Sequence, residues 1–128
     1  MPPFDKPERP AMARLSMHML DTFSGEGAGA IRVDFSRLEG GVYKLIRTIT
    51  TDAVGRTPEP LFSGDTIPTG SYELAPHVGE YYAGRGVKVG DGPVFDRIPV
   101  RFSVFDGTQN YHIPVIFWPT GYTTYRGQ

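Results

Sequence analysis

Apolar residues at every second position constrain this sequence more than any other feature. Along residues 97–105 the alternate positions are apolar, namely Ile98, Val100, Phe102 and Val104. Successive side chains of a β-strand point to opposite faces, so this alternation predicts a strand with one buried face. The same alternation recurs in residues 30–37. A chain made of such strands must cover their apolar faces with a second sheet.

Residues that favour tight turns separate these segments. The clusters lie at residues 39–41, 51–55, 68–70 and 106–110. Short strands divided by such turns are typical of antiparallel sheets. The strand candidates are residues 14–20, 30–37, 42–51, 71–76, 97–105, 111–117 and 122–125.

Helix is expected only over residues 78–85, because Gly84 and Gly86 would end it within about two turns. The 16 Gly and 12 Pro of the chain leave little room for long helices elsewhere. The sequence therefore predicts an all-β antiparallel sandwich with one short helix.

Length and composition restrict the class of protein. A chain of 128 residues fits one domain, expected over residues 14–128, and residues 1–13 are expected to form a flexible extension without a signal-peptide core. A formal charge of −1 favours neither nucleic acid nor an anionic membrane as a partner. The absence of cysteine excludes disulfides, thiolate zinc sites and a cysteine nucleophile. We expect a cytoplasmic protein that does not span a membrane.

His18 is expected on the outer face of the sandwich. In residues 14–20 one parity is apolar, namely Leu15, Met17 and Met19, so Ser16 and His18 point the other way. A lone outward histidine is more often a solvated surface residue than a functional one.

His112 is expected to face outward by the same reasoning, together with Pro114 and Ile116 in residues 111–117. Pro114 predicts an edge or irregular strand, because proline cannot donate a ladder hydrogen bond. Apolar neighbours around an outward imidazole indicate a pocket or a subunit interface.

Arg56 follows Gly55 at the end of a turn, from which a guanidinium can offer paired donors to a carbonyl or an anion. A solvated charge is the alternative interpretation of such an arginine. The sequence spacing pairs the third histidine, His77, with no other titratable residue, and we assign it no catalytic role. The histidine spacings match no zinc motif, so no metal is expected.

Four segments of the sequence resemble motifs of the 5-hydroxyisourate hydrolases in the transthyretin superfamily. Residues 15–22, LSMHMLDT, are similar to the family's L-S-x-H-V-L-D-T signature. Residues 111–115, YHIPV, and 121–127, GYTTYRG, resemble its Y-H-V-P-L segment and its G-Y-S-T-Y-R-G ending. Residues 51–56, TDAVGR, are more loosely similar to its T-N-x-D-G-R loop.

This resemblance implies a transthyretin-like sandwich, assembled as a homotetramer from two dimers, with active sites in the channel between the dimers. By the same resemblance His18, Arg56 and His112 match the family's catalytic positions. It implies hydrolytic opening of the six-membered ring of 5-hydroxyisourate, a small purine-derived molecule of urate breakdown, without a cofactor. We expect the substrate-binding residues to be Pro114, Trp118, Tyr125, Arg126, Gly127 and Gln128.

Imidazole and guanidinium suit this reaction. Attack of water on a ring carbonyl needs a base near neutral pH, and the pKa of an unperturbed imidazole is about 6.5. We expect one histidine to activate the water and the other to orient it or to protonate the leaving nitrogen. Arg56 would stabilise the developing oxyanion.

Departures from the family pattern leave alternatives open. Met17 stands in place of a Thr, Trp118 in place of a small Ser, and Gln128 in place of a terminal Ser. A pocket altered by these residues could favour an N-methylated or otherwise modified hydroxyisourate. A non-catalytic small-ligand carrier and an adhesion-type sandwich module are the alternatives from other classes. Two imidazoles and a guanidinium favour the enzyme, since a carrier has no use for them.

Overall fold

The computed structural model describes residues 13–88 and 90–127, which form two sheets and one helix. In chain order the elements are β1 (Ala13–Asp21), β2 (Glu26–Gly27), β3 (Arg32–Glu39), β4 (Val42–Thr50), β5 (Phe62–Gly64), β6 (Gly70–Pro76), α1 (Val78–Gly84), β7 (Val100–Val104), β8 (Tyr111–Trp118) and β9 (Gly121–Thr124). The first sheet contains β1, β2, β5, β8 and β9, and the second contains β3, β4, β6 and β7.

The predicted all-β sandwich with one short helix is confirmed, and the bounds of its elements differ slightly from the expectation. Ala13 is fully buried in β1, so the strand begins inside the segment expected to be a flexible extension. The rest of that segment, residues 1–12, lies outside the described residues. The short strands β2 and β5 were not predicted, because two or three residues are too few to show a periodicity.

The pairing of β1 with β8 departs from the expected antiparallel arrangement, since these two strands run parallel. Tight turns can make only neighbouring segments antiparallel, whereas the chain between β1 and β8 builds the whole second sheet. The two strands therefore meet from the same direction. Their register places Ser16 opposite His112 and His18 opposite Pro114.

The core lies between the two sheets and follows the predicted parity. Leu15, Met17 and Met19 of β1 are buried, as are the alternate residues of β8 that begin with Tyr111. From the second sheet, Phe35 and Tyr72 stack with ring centroids 5.6 Å apart. The inner faces are thus filled by apolar side chains, which leaves the alternate residues of β1 and β8 on the outer face of the first sheet.

Helix α1 ends at Gly84, and a buried carboxylate ties it to β1. Tyr81 and Tyr82 donate hydrogen bonds to Asp21 at 2.9 and 2.6 Å. Burial and these bonds to Asp21 raise the pKa of Tyr81 to about 12 and also raise that of Tyr82. Within the described residues, no helix has the length and apolar character needed to cross a bilayer.

Candidate active site

His18 and His112 lie on neighbouring strands and on the same outer face. His18 is opposite Pro114, and His112 is opposite Ser16, so the two imidazoles are displaced diagonally across the β1–β8 pair. Both residues are half-buried, which agrees with the outward direction that the sequence predicts. Two residues far apart in sequence are therefore neighbours at the surface of the first sheet.

Arg56 reaches the same face from the loop that follows β4. It forms an isolated antiparallel bridge with His18, at the edge of β1 that β8 does not occupy. The backbone N–H of Met19 donates to the carbonyl of Gly55 at 2.7 Å and fastens the loop to β1. Because bridge partners project to the same side of a sheet, the Arg56 side chain emerges on the face that carries His18.

Residues 52–56 form a closed turn held by one carboxylate. Asp52 Oδ1 accepts hydrogen bonds from the backbone N–H groups of Val54 and Arg56, both at 3.0 Å. The backbone N–H of Asp52 donates to the Arg56 carbonyl at 2.7 Å. Gly55 has a φ of 86°, and a Cβ there would collide with the carbonyl oxygen of Met19, so the turn requires glycine.

The His18 ring is held by this turn. Its Nε2 lies 2.8 Å from the carbonyl oxygen of Val54. A carbonyl oxygen only accepts hydrogen bonds, so Nε2 of His18 is the donor and carries a hydrogen.

The His112 ring is held by its neighbour across the strand pair, since Ser16 Oγ lies 2.9 Å from His112 Nδ1. Burial lowers the pKa of His112, and repulsion from the Arg56 charge and from His18 in its protonated form lowers it further. The neutral form of His112 is therefore favoured, and strand register places all three groups on one face.

The C-terminal tail folds back onto His112. The backbone N–H of Gly127 donates to the His112 carbonyl at 2.6 Å, and a Cβ at Gly127 would lie 3.0 Å from His112 Cδ2. The guanidinium of Arg126 turns the other way, over the Tyr111 ring at 4.1 Å. Tyr125 is exposed, and Gln128 lies outside the described residues.

Pro114 does not mark an edge strand, because β8 lies between β1 and β9 in the first sheet. Its carbonyl accepts a hydrogen bond from Thr124 Oγ1 at 2.8 Å, where the ladder between β8 and β9 ends. Of the two predicted alternatives, an edge or an irregular strand, only the edge is wrong, and the missing N–H of Pro114 is tolerated because β9 stops pairing with β8 at Val115. Pro114 is buried and lies opposite His18 on the neighbouring strand.

Two of the residues that depart from the family pattern lie apart from this cluster. Met17 is 1% exposed and packs into the core, as its parity requires. Trp118 shares the outer face but lies about 20 Å along β8 from His112, at roughly 3.3 Å per residue. Its ring packs over Gly121, where a Cβ would lie 2.7 Å from the indole. Within one protomer, neither side chain meets the imidazoles and Arg56.

His77 lies on the other sheet and has partners that sequence spacing did not reveal. Its Nε2 is 2.8 Å from Asp34 Oδ2, which also accepts a hydrogen bond from Arg97 at 3.1 Å. This ion-paired cluster is separate from the outer face that carries His18.

Sequence reasoning also missed the supporting groups of the site, namely Asp52, the Val54 carbonyl and the Ser16 hydroxyl. Only Ser16 could have been found from the sequence, because it has the same parity as His18 and therefore faces the same side of the first sheet. Among residues 13–88 and 90–127, no group of three or more His, Asp or Glu side chains is arranged to hold a metal ion.

Comparison with known proteins identifies relatives that cover most of this chain. A 5-hydroxyisourate hydrolase 2 from Rhizobium meliloti is 43% identical over 114 residues, which cover 89% of this chain and 95% of that protein. A solved 5-hydroxyisourate hydrolase from Klebsiella pneumoniae superposes with a TM-score of 0.74 at 30% identity, over 91% of this chain and 94% of its own.

A solved (S)-allantoin synthase superposes with a TM-score of 0.83 at 33% identity over 92% of this chain. The present chain spans only 44% of that longer protein. The model of the HIUase/Transthyretin family matches residues 15–127, which include both sheets and every described residue of the site. This chain therefore belongs to the HIUase/Transthyretin family.

Proposed function

We propose that this protein hydrolyses 5-hydroxyisourate and opens its six-membered ring. The observation that carries the proposal is the meeting of His18, Arg56 and His112 on one outer face, from three segments of the chain. The relatives named 5-hydroxyisourate hydrolase cover almost the whole chain, and they support the same reaction.

The reaction adds one water molecule across a carbon–nitrogen bond of the ring. The water oxygen bonds to a ring carbonyl carbon while an imidazole takes its proton, and the carbonyl oxygen becomes negatively charged. The guanidinium of Arg56 stabilises this oxyanion with paired donors. The carbon–nitrogen bond then breaks, and the leaving nitrogen receives a proton. No step of this sequence requires a cofactor.

We propose that the site is completed in a homotetramer of two dimers. In one protomer the site lies on an open sheet face, and the apolar Leu20 and Ile116 beside it line a pocket together with residues 21–22 and 25–27. An apolar face of this kind is stabilised when another copy covers it, and exclusion of water would strengthen the charge interactions of the site. Light scattering coupled to size-exclusion chromatography tests the tetramer. A cytoplasmic location stays a prediction, which cell fractionation would test.

The unmodified compound is the substrate that we propose. The idea of a modified substrate depended on Met17, Trp118 and Gln128, and the first two do not face the imidazoles within a protomer. A pure carrier would gain nothing from a neutral imidazole placed beside a guanidinium. The two histidines therefore favour hydrolysis.

A spectrophotometric assay tests the proposal directly. 5-Hydroxyisourate is generated enzymatically from urate, and its decay is followed with and without the protein. We expect the protein to accelerate the decay in proportion to its concentration. Decay at the uncatalysed rate would reject the proposed function, and faster turnover of methylated analogues would reject the choice of substrate.

A further inference from the structure

The contact between His18 and the Val54 carbonyl determines which ring nitrogen of His18 can act. Nε2 donates to this carbonyl at 2.8 Å, so in the neutral ring the lone pair is on Nδ1. Within residues 13–88 and 90–127, Nδ1 of His18 has no hydrogen-bond partner. The ring is therefore oriented with its donor, Nε2, towards the loop, and its basic atom, Nδ1, is free to accept a proton.

We infer that His18 is the general base of the reaction, that it acts through Nδ1, and that Asp52 is the positioning residue that holds it in this tautomer. This inference rests on the proposed function and deepens it, because it assigns different tasks to the two histidines.

Asp52 controls the position of the Val54 carbonyl through the backbone. Its Oδ1 accepts from the N–H groups of Val54 and Arg56, and its own carbonyl accepts from the N–H of Gly55 at 3.1 Å. One side chain thus fixes the residue that binds the His18 ring and the residue that carries the guanidinium. Since a single oxygen makes both bonds, we expect the position of that oxygen to matter more than the charge of the side chain.

His112 is held differently and is suited to another task. Its Nδ1 contacts the hydroxyl of Ser16, which can donate to it. With that donation, Nε2 of the neutral ring carries the hydrogen and becomes a hydrogen-bond donor. His112 then assists Arg56 at the carbonyl oxygen, and it need not exchange a proton.

The proton balance closes with His18 alone. Nδ1 takes a proton from water as the water oxygen bonds to the carbonyl carbon. When the carbon–nitrogen bond breaks, the same atom returns the proton to the leaving nitrogen, and His18 recovers its starting form. This is the double use of one imidazole that acyl-transfer enzymes make in general.

Nitrogen-15 NMR of the labelled wild-type protein tests the tautomer without any turnover. We expect long-range ¹H–¹⁵N correlations of the neutral His18 ring to place the hydrogen on Nε2. A ring that is protonated on Nδ1, or an equal mixture of the two tautomers, would overturn the inference. Because this measurement needs no substrate, it is independent of whether the proposed substrate is correct.

Two variants separate shape from charge at Asp52. Asp52→Asn keeps an Oδ1 acceptor and removes the charge, and we expect its kcat to stay within about threefold of the wild type. Asp52→Glu keeps the charge but displaces the carboxylate, and we expect kcat to fall by about 10–100-fold with KM within about twofold, since misplacement of reacting groups by about 1 Å has effects of this size. The same variant should show mixed His18 tautomers.

The opposite pattern, with an active Asp52→Glu and an inactive Asp52→Asn, would show that Asp52 acts through its charge and would refute the positioning role. Thermal melting identifies any variant that is unfolded. A wild-type protein that leaves 5-hydroxyisourate untouched would refute the proposed function instead, whatever tautomer His18 adopts.

Discussion

Gly127 and His112 are in direct contact, although the tail and the strand belong to different elements. The backbone N–H of Gly127 donates to the carbonyl of His112 at 2.6 Å, and the glycine Cα faces the edge of the imidazole ring. A side chain on residue 127 would press on His112 Cδ2 at 3.0 Å and approach Pro114 Cγ at 3.5 Å. The absence of a side chain at this position therefore lets the tail support the ring without displacing it.

Gly127→Ala is expected to lower kcat/KM by about 10–100-fold, because the new methyl group displaces the His112 ring. The fold should persist, since the contact lies on the outer face. Gly84→Ala is the matched control, because a Cβ there has no neighbour within 4 Å. Steady-state kinetics and thermal melting measure both effects. Equal activity of the two variants would contradict the importance of this contact.

His112→Ala is expected to lower kcat by about 10²–10⁴-fold, the usual range for loss of a group that assists proton transfer or charge stabilisation. Its side chain is outside the core, so circular dichroism should not change, and light scattering checks that the assembly is intact. Loss of activity from an intact assembly would exclude both the carrier and the adhesion module. Full activity in the variant would show that His112 has no part in catalysis.

Arg56→Gln is expected to lower kcat/KM by about 10²–10³-fold and to move the acid limb of its pH profile upward. Burial, Arg56 and His18 hold the pKa of His112 below its ordinary value of 6.5, so activity that needs neutral His112 is lost only below that value. Without the Arg56 charge, the pKa of His112 rises and protonation begins at higher pH. NMR titration of His112 checks the assignment.

The matched control for this variant is Arg85→Gln, which removes an arginine that lies over the Tyr81 ring, away from the site. Its acid limb should coincide with that of the wild type. If the pKa of His112 rises in Arg56→Gln but the acid limb of the pH profile does not move, that limb reports the titration of another group.

Asp21→Asn is expected to destabilise the protein by about 2 kcal/mol at pH 7, because an amide offers one acceptor oxygen to two buried tyrosine hydroxyls. Urea unfolding measures the loss. Asp65→Asn, at an exposed position, should change stability by less than about 0.5 kcal/mol.

The same carboxylate predicts how stability depends on pH. Burial raises the pKa of Asp21, but hydrogen bonds from Tyr82, Ser24 and Tyr81 outweigh it and hold the pKa below 3.8. Its contribution is therefore complete above pH 3.8 and is lost as the pH falls through the lowered pKa. Asp21→Asn should lack this part of the acid destabilisation. If the free energies of unfolding of the wild type and Asp21→Asn fell in parallel below pH 4, Asp21 would not be the group responsible.

The sequence alone determined which way side chains face. Alternation along β1 and β8 separates Leu15 and Met17, which face the core, from His18 and His112, which face outward. This succeeded because the two-residue period is a local property of an extended backbone and does not depend on the strand's neighbours. The expectation that Met17 alters the pocket conflicted with this parity, and the burial of Met17 in the core shows that the parity was the better guide.

Only the tertiary structure decided which residues meet. The parallel pairing of β1 with β8, the bridge between His18 and Arg56, and the bond from His18 to the Val54 carbonyl all join segments that are distant in sequence. No local pattern encodes them, because strand order and register result from covering the apolar faces of the whole chain at once. The sequence therefore supplied the chemical groups and their directions, and packing of the two sheets brought them together.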